Sequence, residues 1–451
     1  MTKRALAALE RDFAVSDREM KAIIRRFHRE MDRGLSLRPG SLKMLPAYLD
    51  RPAGSEKGRF IALDLGGTNF RVLGVDLIGH GIISSAHVLK CVLHKKDITS
   101  TDKKLFAFLA RSVKKFFIKE GIPPLSRINL GFTFSFPLEQ EDAASGRLTA
   151  WTKGFTASGV KGHDVAALLK EALLDEGLSN VKVSALINDT VGTLAARSYS
   201  DRSCDIAVII GTGCNACYVE KIFRIKRLAG RFGLRPGSMI INIEWGNFNK
   251  LKTTRYDKKL DSASSNPRRQ IMEKMVSGLY LGEICRLVMM DLISCGELFG
   301  GKAPKALKKT MSLKGEHISA MIADGSPDRS GVRRALRGLG ISGSTPTDRK
   351  AIARICKIVS TRAARISAAA IIAVATKIDG SLSVKHTVAI DGSVYEKLSG
   401  FSDCVKKTIK EFLGGKAGNI RLALTKDGSG AGAAIMAASA ARQKMEDRYG
   451  R

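Results

Sequence analysis

Negatively charged side chains are scarce in this sequence: 43 Asp and Glu stand against 75 Lys and Arg, a formal net charge of +32 over 451 residues. Such an excess attracts anions in general, nucleic acid and anionic membranes included. The basic residues are dispersed, however, and the densest stretches, KAPKALKKTMSLK (302–314) and VRRALRGLG (332–340), contain no aromatic ring on which a base could stack. The expectation is a solvated basic surface that favours anionic substrates, with no specific nucleic-acid partner. Long apolar runs are missing too. A membrane span needs roughly 18 apolar residues, and the best candidate, residues 366–378, is shorter and ends close to Lys377. The amino-terminal MTKRALAALERDF has too short an apolar core for a secretory signal, and Glu10 and Asp12 argue against a transit peptide. A soluble, cytoplasmic chain is expected.

Cysteine is sparse and scattered. Eight residues spread over the chain read as reduced thiols rather than a disulfide frame. Only Cys214 and Cys217 form a C-x-x-C, and no second pair with zinc-ligand spacing accompanies them. The seven histidines show no H-E-x-x-H spacing. Residues 296–303, GELFGGKA, nearly spell a phosphate-binding P-loop but fail twice: Ala303 lacks the Mg²⁺-binding hydroxyl, and a helical stretch, 284–293, precedes them instead of a strand.

The length exceeds what one core usually fills, so two domains or one strongly lobed domain follow. Residues 13–35 place Met20, Ile23, Ile24, Phe27 and Met31 at helical spacing, an amphipathic helix. Beyond the turn-rich DRPAGSEKG (50–58), strand-like runs at 60–65, 72–76, 82–89, 128–133 and 181–189 alternate with helical ones at 103–119 and 165–176, which indicates an α/β protein. The second half restarts the scheme. CDIAVIIGTGCNACYVE (204–220) repeats the strand, glycine turn and strand of IALDLGGTNFRV (61–72), pointing to two related α/β halves facing each other across a cleft. A third glycine-rich turn, LTKDGSGAGAAIMAA (424–438), runs into an alanine-rich helix. Glycine turns bring backbone N–H groups close to phosphate oxygens. Asp64 at the tip of the strand is useful beside phosphates only if a cation stands between them, and Mg²⁺ on ATP supplies one.

LDLGGTNFRV (63–72), GFTFSFP (131–137), WTKGF (151–155), SGVKGHDV (158–165), INDTVGTL (187–194), IIGTGCNACYVE (209–220), INIEWGNF (241–248), NPRRQIMEKMVSGLYLGE (266–283), IDGSVY (390–395) and KDGSGAGAA (426–434) occur together and in order. The chain resembles a hexokinase over nearly its full length. That resemblance implies the two-domain, actin-like ATPase fold with duplicated ribonuclease H-like halves. The implied divisions are a helical segment 1–57 on the large domain, a small domain 58–189, a large domain 190–427 and a helix 428–451 returning to the small domain. It implies transfer of the γ-phosphoryl group of Mg-ATP to the 6-hydroxyl of a hexose such as glucose, by a monomer or homodimer.

Matched position by position, the resemblance makes Asp189 the catalytic base, with Asn188 beside it and Lys153 assisting. Ser135, Phe136, Thr152 and Lys153 line the sugar pocket from the small domain, and Asn215, Glu244, Gln270 and Glu273 from the large one. A carboxylate accepts from two hydroxyls and an ammonium donates to oxygen, as a polyhydroxyl ligand requires. For ATP it assigns Asp64, Leu65, Gly66, Gly67, Thr68, Asn69 and Arg71, then Thr212, Gly278, Thr361, Gly428 and Ser429; Mg²⁺ falls to Asp64, directly or through water. Each role has a plain competitor: Asp189 as a helix N-cap, Ser135 as a satisfied strand hydroxyl, Lys153 as a surface lysine, Arg71 as half of a structural salt bridge. The chain departs from the family pattern at Arg268-Arg269 before Gln270, at Lys426 before the last turn, and in WGNFN. A sugar sensor with little catalysis and a nucleic-acid-associated protein on the same fold stay open as alternatives.

Overall fold

The computed structural model describes residues 2–66, 69–232 and 237–449. Eleven strands build its two main sheets: β1 (Leu45–Pro46), β2 (Lys57–Leu65), β3 (Asn69–Ile78), β4 (Ile83–Val92), β5 (Ile128–Phe134), β6 (Val181–Ile187), β7 (Cys204–Ile210), β8 (Cys214–Lys221), β9 (Ser238–Asn242), β10 (His386–Asp391) and β11 (Ile420–Leu424). One sheet runs β4-β3-β2-β5-β6 and the other β1-β9-β8-β7-β10-β11. In each, an antiparallel meander of three strands continues into two parallel strands: β2 pairs with β3 antiparallel and with β5 parallel, and β7 pairs with β8 antiparallel and with β10 parallel. The same strand order twice is the duplication expected from the glycine turns, and it gives the two-lobed actin-like α/β architecture.

The buried centre strands are continuous apolar runs, because helices cover both faces: β2 buries Phe60 through Leu65 without a break. Asp102–Lys119 and Val165–Asp175 cover one face of the five-stranded sheet, with Phe106, Val113, Phe116 and Leu169 in the core. The other face meets the helix Gly428–Tyr449. The helix Asp189–Ser200 follows the last strand of the first half but packs on the six-stranded sheet, against β7, β8 and β10. These two helices also pack on each other, and there the backbones nearly touch: a Cβ at Gly432 would lie 1.9 Å from the Gly192 carbonyl oxygen. Alanines 433, 434, 437, 438 and 440 keep the seam thin.

Several boundaries differ from the sequence reading. The helix expected over 13–35 starts only at Asp17, because Ser16 leaves the helical backbone and caps it by accepting from the Glu19 N–H at 3.3 Å, and a separate helix, Lys3–Phe13, precedes it. The strand expected over 181–189 stops at Ile187, and Asp189 opens the next helix. One helix among the described residues, Pro346–Ile378, is long and apolar enough to cross a membrane by length and composition, although no uninterrupted run reaches that length; 83% of its apolar window is buried inside the protein. Cys214 and Cys217 lie three residues apart on β8 and face opposite sides, one in the core with Trp245 and the other in the seam. They cannot share a ligand, and burial pushes both thiols well above the ordinary range.

Candidate active site

Asp64 stands one residue before the end of β2, opposite Arg71 on β3 and Thr133 on β5. It is nearly buried, and its Oδ2 accepts from Arg71 Nε at 3.2 Å, from Arg71 Nη2 and from Ser429 Oγ at 2.9 Å. Arg71 Nη1 reaches on to Asp427 at 2.9 Å. Arg71 is therefore a structural ion-pair partner. Burial by itself would lower its pKa, and Asp64 and Asp427 raise it above the usual value. Leu65 is buried behind this knot and Gly66 begins the turn. Gly67 and Thr68 lie outside the described residues; the backbone of Asn69 opens β3. Ser429 is thus held at the first turn, where its hydroxyl serves Asp64, and Gly428 starts its helix against Thr193.

Asp189 is not the N-cap. Asn188 fills that position, accepting from the Val191 N–H at 2.9 Å, while among the described residues the Asp189 carboxylate receives only the Thr190 hydroxyl at 3.2 Å. The half-buried Asp189 carboxylate keeps acceptor capacity, and the Asn188 amide nitrogen keeps its donors. Asp189 also reaches the second half electrostatically. The Asp391 carboxyl at the end of β10 is raised above its ordinary value, first by burial and then by Asp427 and Asp189.

On the small-sheet side, the Ser135 Oγ is buried without a hydrogen-bond partner among the described residues, so no strand neighbour among them satisfies the hydroxyl. Lys153 Nζ donates to the Ser135 carbonyl at 2.8 Å and sits 5.4 Å from the Phe136 ring centroid. Phe136 itself is only 6% exposed, locked among Phe134, Trp151 and Phe155 at 4.8–4.9 Å, so its ring supports the wall from beneath. Thr152 and Lys153 are exposed.

Opposite them, residues from the six-stranded half interlock. Asn215 Nδ2 donates to Asn242 Oδ1 at 2.8 Å and to Glu244 Oε1 at 3.3 Å, and Asn242 Nδ2 donates to the same Glu244 oxygen at 3.0 Å. Glu273 Oε2 accepts from the Cys214 N–H at 3.0 Å. A Cβ at Gly213 would stand 2.7 Å from that oxygen, and one at Gly246 would stand 2.5 Å from Gln270 Oε1, so glycine at both places lets the side chains close in. Burial raises the Glu273 carboxyl; Glu244 adds to the rise and Lys153 opposes it from across the cleft. Three of these residues, Lys153 (φ 57°), Glu244 (φ 57°) and Gln270 (φ 53°), hold left-handed backbone that side chains rarely adopt. Such strain persists where surrounding structure imposes it, typically at ligand sites.

The unusual residues near Gln270 and Glu244 are absorbed locally. The Arg268 N–H binds both Asp261 oxygens at 2.9–3.0 Å, Lys274 Nζ joins them at 2.6 Å, and Asn247 Nδ2 closes on the Glu244 carbonyl at 3.3 Å. Lys426 pairs with Glu396 at 2.6 Å. In the second turn, the carbonyls of Gly211 and Thr212 accept from the N–H groups of Gly278 at 2.8 Å and Leu279 at 3.3 Å, which leaves Thr212 exposed at the tip. Thr361 is half-buried in Pro346–Ile378, between Lys357, which approaches Gly400, and Arg365, 4.0 Å from Glu411. Two participants went unnominated in the sequence, Asn242 and Asp391. Both stand in quoted motifs, INIEWG and IDGSVY, one strand position from a turn.

Comparison with known proteins decides the family. Two family models, each described as hexokinase, match residues 5–199 and 205–439. The chain is 41% identical to hexokinase-7 of Oryza sativa subsp. japonica, covering 97% of each chain, and 41% identical to hexokinase-1 of Nicotiana tabacum, covering 97% of this chain and 91% of that one. The chain belongs to the hexokinase family. Among solved structures, a Schistosoma mansoni hexokinase complexed with glucose superposes with a TM-score of 0.84 at 34% identity, covering 96% of this chain and 98% of that one. A second hexokinase crystal structure gives 0.85 at 30% identity, covering 97% and 99%. This hexokinase family member is a hexose kinase, and ATP use goes with the family.

The residues of this hexose kinase fit Mg²⁺ carried on ATP. Among the described residues no group of three His, Cys, Asp or Glu side chains gathers as a cage. Mg²⁺ in kinase sites needs only one or two carboxylates, because substrate phosphates and water supply the rest. Asp64 and Asp391 lie at the two turns as hard oxygen donors, and Asp64 keeps its Oδ1 outside the knot with Arg71 and Ser429.

Proposed function

We propose that the chain transfers the γ-phosphoryl group of Mg-ATP to the 6-hydroxyl of glucose and related hexoses, with Asp189 as the base. The observation that carries this reading is the division of labour at 188–189: Asn188 caps the helix, and Asp189 is left with a carboxylate that no cap consumes. A sugar hydroxyl is a poor nucleophile in water, and a carboxylate within hydrogen-bond reach orients it and takes its proton as the bond to phosphorus forms. Phosphoryl transfer has a loose transition state, so placement matters more than base strength.

In this reading the hydroxyls and ring oxygen of the hexose bind Asn215, Glu244, Gln270 and Glu273 on one side and Ser135, Thr152, Lys153 and Asn188 on the other. The unpartnered Ser135 Oγ, the exposed Lys153 and the strained backbone at Lys153, Glu244 and Gln270 support it. Because the ligand groups come from both halves, sugar binding draws the lobes together and excludes water from the γ-phosphate. Bound Mg²⁺, held through ATP and Asp64, would screen phosphate charge. The eight unpaired cysteines support a reducing, cytoplasmic setting at the entry of glycolysis, with the chain a monomer or homodimer; a fluorescent fusion found in an oxidising compartment would refute that placement.

The test is a coupled assay of ADP release over glucose, mannose, fructose and glucosamine, with Mg-ATP and other phosphoryl donors. Hexose-dependent ADP release with formation of the 6-phosphate is expected. Tight hexose binding without turnover would overturn the reading and leave a sugar sensor.

A further inference from the structure

The helix Asp17–Leu35 presents two unlike faces. Met20, Ile23, Phe27 and Met31 are buried, Phe27 against Trp245 and Phe248. The other face lines a recess of about 890 Å³ with Arg26, Arg29 and Arg33. Arg38 follows from the turn behind the helix, Arg224 and Lys226 come from the segment after β8, and Lys250 and Lys252 from the segment after Phe248. Eight guanidinium or ammonium groups therefore face three carboxylates, Glu19, Glu30 and Asp32. None of these residues belongs to the cleft described above.

All three carboxylates are already engaged. Glu19 pairs with Arg26 at 3.0 Å, Asp32 pairs with Lys377 at 2.5 Å, and Glu30 pairs with Arg33 at 3.1 Å. Glu30 also accepts from the Ser41 N–H at 2.6 Å and its hydroxyl at 2.9 Å, and these bonds hold its carboxyl below the usual range although burial pushes it the other way. The side chains of Arg29, Arg38, Lys226 and Lys252 have no hydrogen-bond or ion-pair partner among the described residues. Like charges collected in one concavity repel, and its walls focus their field. A ligand with several clustered negative charges removes the repulsion, and arginine forks grip phosphate oxygens in pairs.

The shape and lining narrow the ligand. The volume falls within the roughly 300–1,000 Å³ of small-molecule sites. Leu251 is the one apolar side chain in the lining and no aromatic ring is present, so there is no platform for a nucleobase or an extended single strand. We propose that this recess is a binding site for a compact small molecule bearing several phosphate groups, a condensed phosphate or a phosphorylated polyol, separate from the sugar and ATP cleft.

Isothermal titration of the full chain, with MgADP and glucose saturating the cleft, tests this with two probes: inorganic tripolyphosphate and, separately, myo-inositol hexakisphosphate. One equivalent of at least one probe should bind, and the probe that binds more tightly distinguishes a condensed phosphate from a phosphorylated polyol. The double variant Arg29→Glu/Lys252→Glu should weaken binding at least about tenfold while hexose kinase turnover is unchanged. Should that variant fold poorly, Arg29→Gln/Lys252→Gln should still weaken it about threefold or more. No saturable binding of either probe to the wild-type chain, or binding by a folded variant within twofold of wild type, would overturn the proposal.

Discussion

The two halves share a strand order and divide the chemistry unequally. At the first glycine turn the half built on the five-stranded sheet carries a charge knot, Asp64, Arg71, Asp427 and Ser429. The turn of the other half, Gly211-Thr212-Gly213, carries no charge and is held by backbone bonds from Gly278 and Leu279. In the proposed sugar site the polarity reverses. The six-stranded half would bring two carboxylates and two amides, and the other half Lys153, two hydroxyls, Asn188 and Asp189. A duplicated scaffold thus supplies two equivalent strand–turn positions, and on the proposed reading the residues placed on them decide which end of the reaction each half serves.

The halves also exchange their last helices. Asp189–Ser200 packs on the sheet that follows it in sequence, and Gly428–Tyr449 returns to the sheet that opened the fold. Each begins with a residue of the proposed site, Asp189 and Gly428. Asp189→Ala should break the comparison most sharply, lowering kcat by at least about 10²-fold with little change in hexose affinity, whereas Ser429→Ala should mainly raise the KM for ATP a few-fold. Steady-state kinetics checks both, and near-normal turnover of the first variant would remove Asp189 from the base role.

Next in size is the seam itself. Gly432→Ala puts a methyl group into the Gly192 carbonyl, where backbone must move, and should cost about 2–3 kcal/mol of stability. The same change at Gly338, where nothing lies within 4 Å of the new Cβ, should cost nothing and is the control for thermal denaturation. Gly213→Ala sharpens the contrast between the two turns. Its Cβ displaces Glu273 and should raise the hexose KM about tenfold, with kcat and the KM for ATP changed far less. Equal effects on both substrates would mean that the second turn serves the nucleotide as much as the sugar.

The smallest effect separates stability from function. The Glu273 carboxyl is raised above its ordinary value, so the native state holds its proton longer than the unfolded chain does. Its contribution to stability is most favourable below the ordinary carboxyl range and falls as pH rises through the raised value. Glu273→Gln should remove that decline and raise Tm at pH 7 by about 1–3 °C, while hexose affinity drops. A melting temperature that falls at pH 7 would show that the charge is stabilised in place.

What the sequence disclosed about this molecule follows from locality. Glycine turns between apolar strands are visible within a dozen residues, and so the two halves, the first turn and the 188–189 pair are legible. The Ser16 break was equally local, but a helical spacing that continues across a capping serine hides it. Asn242 and Asp391 were missed for another reason. Strand pairing brings Asn215 beside Asn242, and the packing of the helix that Asp189 opens against the sheet brings Asp189 within electrostatic reach of Asp391; no local pattern in the chain marks either meeting. The helix exchange is likewise a tertiary fact, since Asp189–Ser200 reads the same whichever sheet it covers. Arg71 faces Asp64 across a strand pair and meets Asp427, far along the chain, only in the fold.

The seam at Gly192 and Gly432 has a mechanical consequence. On the proposed closure, the point where the two backbones meet at these glycines, with Ala433, Ala434, Ala437 and Ala438 beside it, would serve as the pivot between the lobes. Gly192 lies three residues from Asp189 and Gly432 three from Ser429, so a small rotation at that axle would become a larger travel at the outer lip around Lys153.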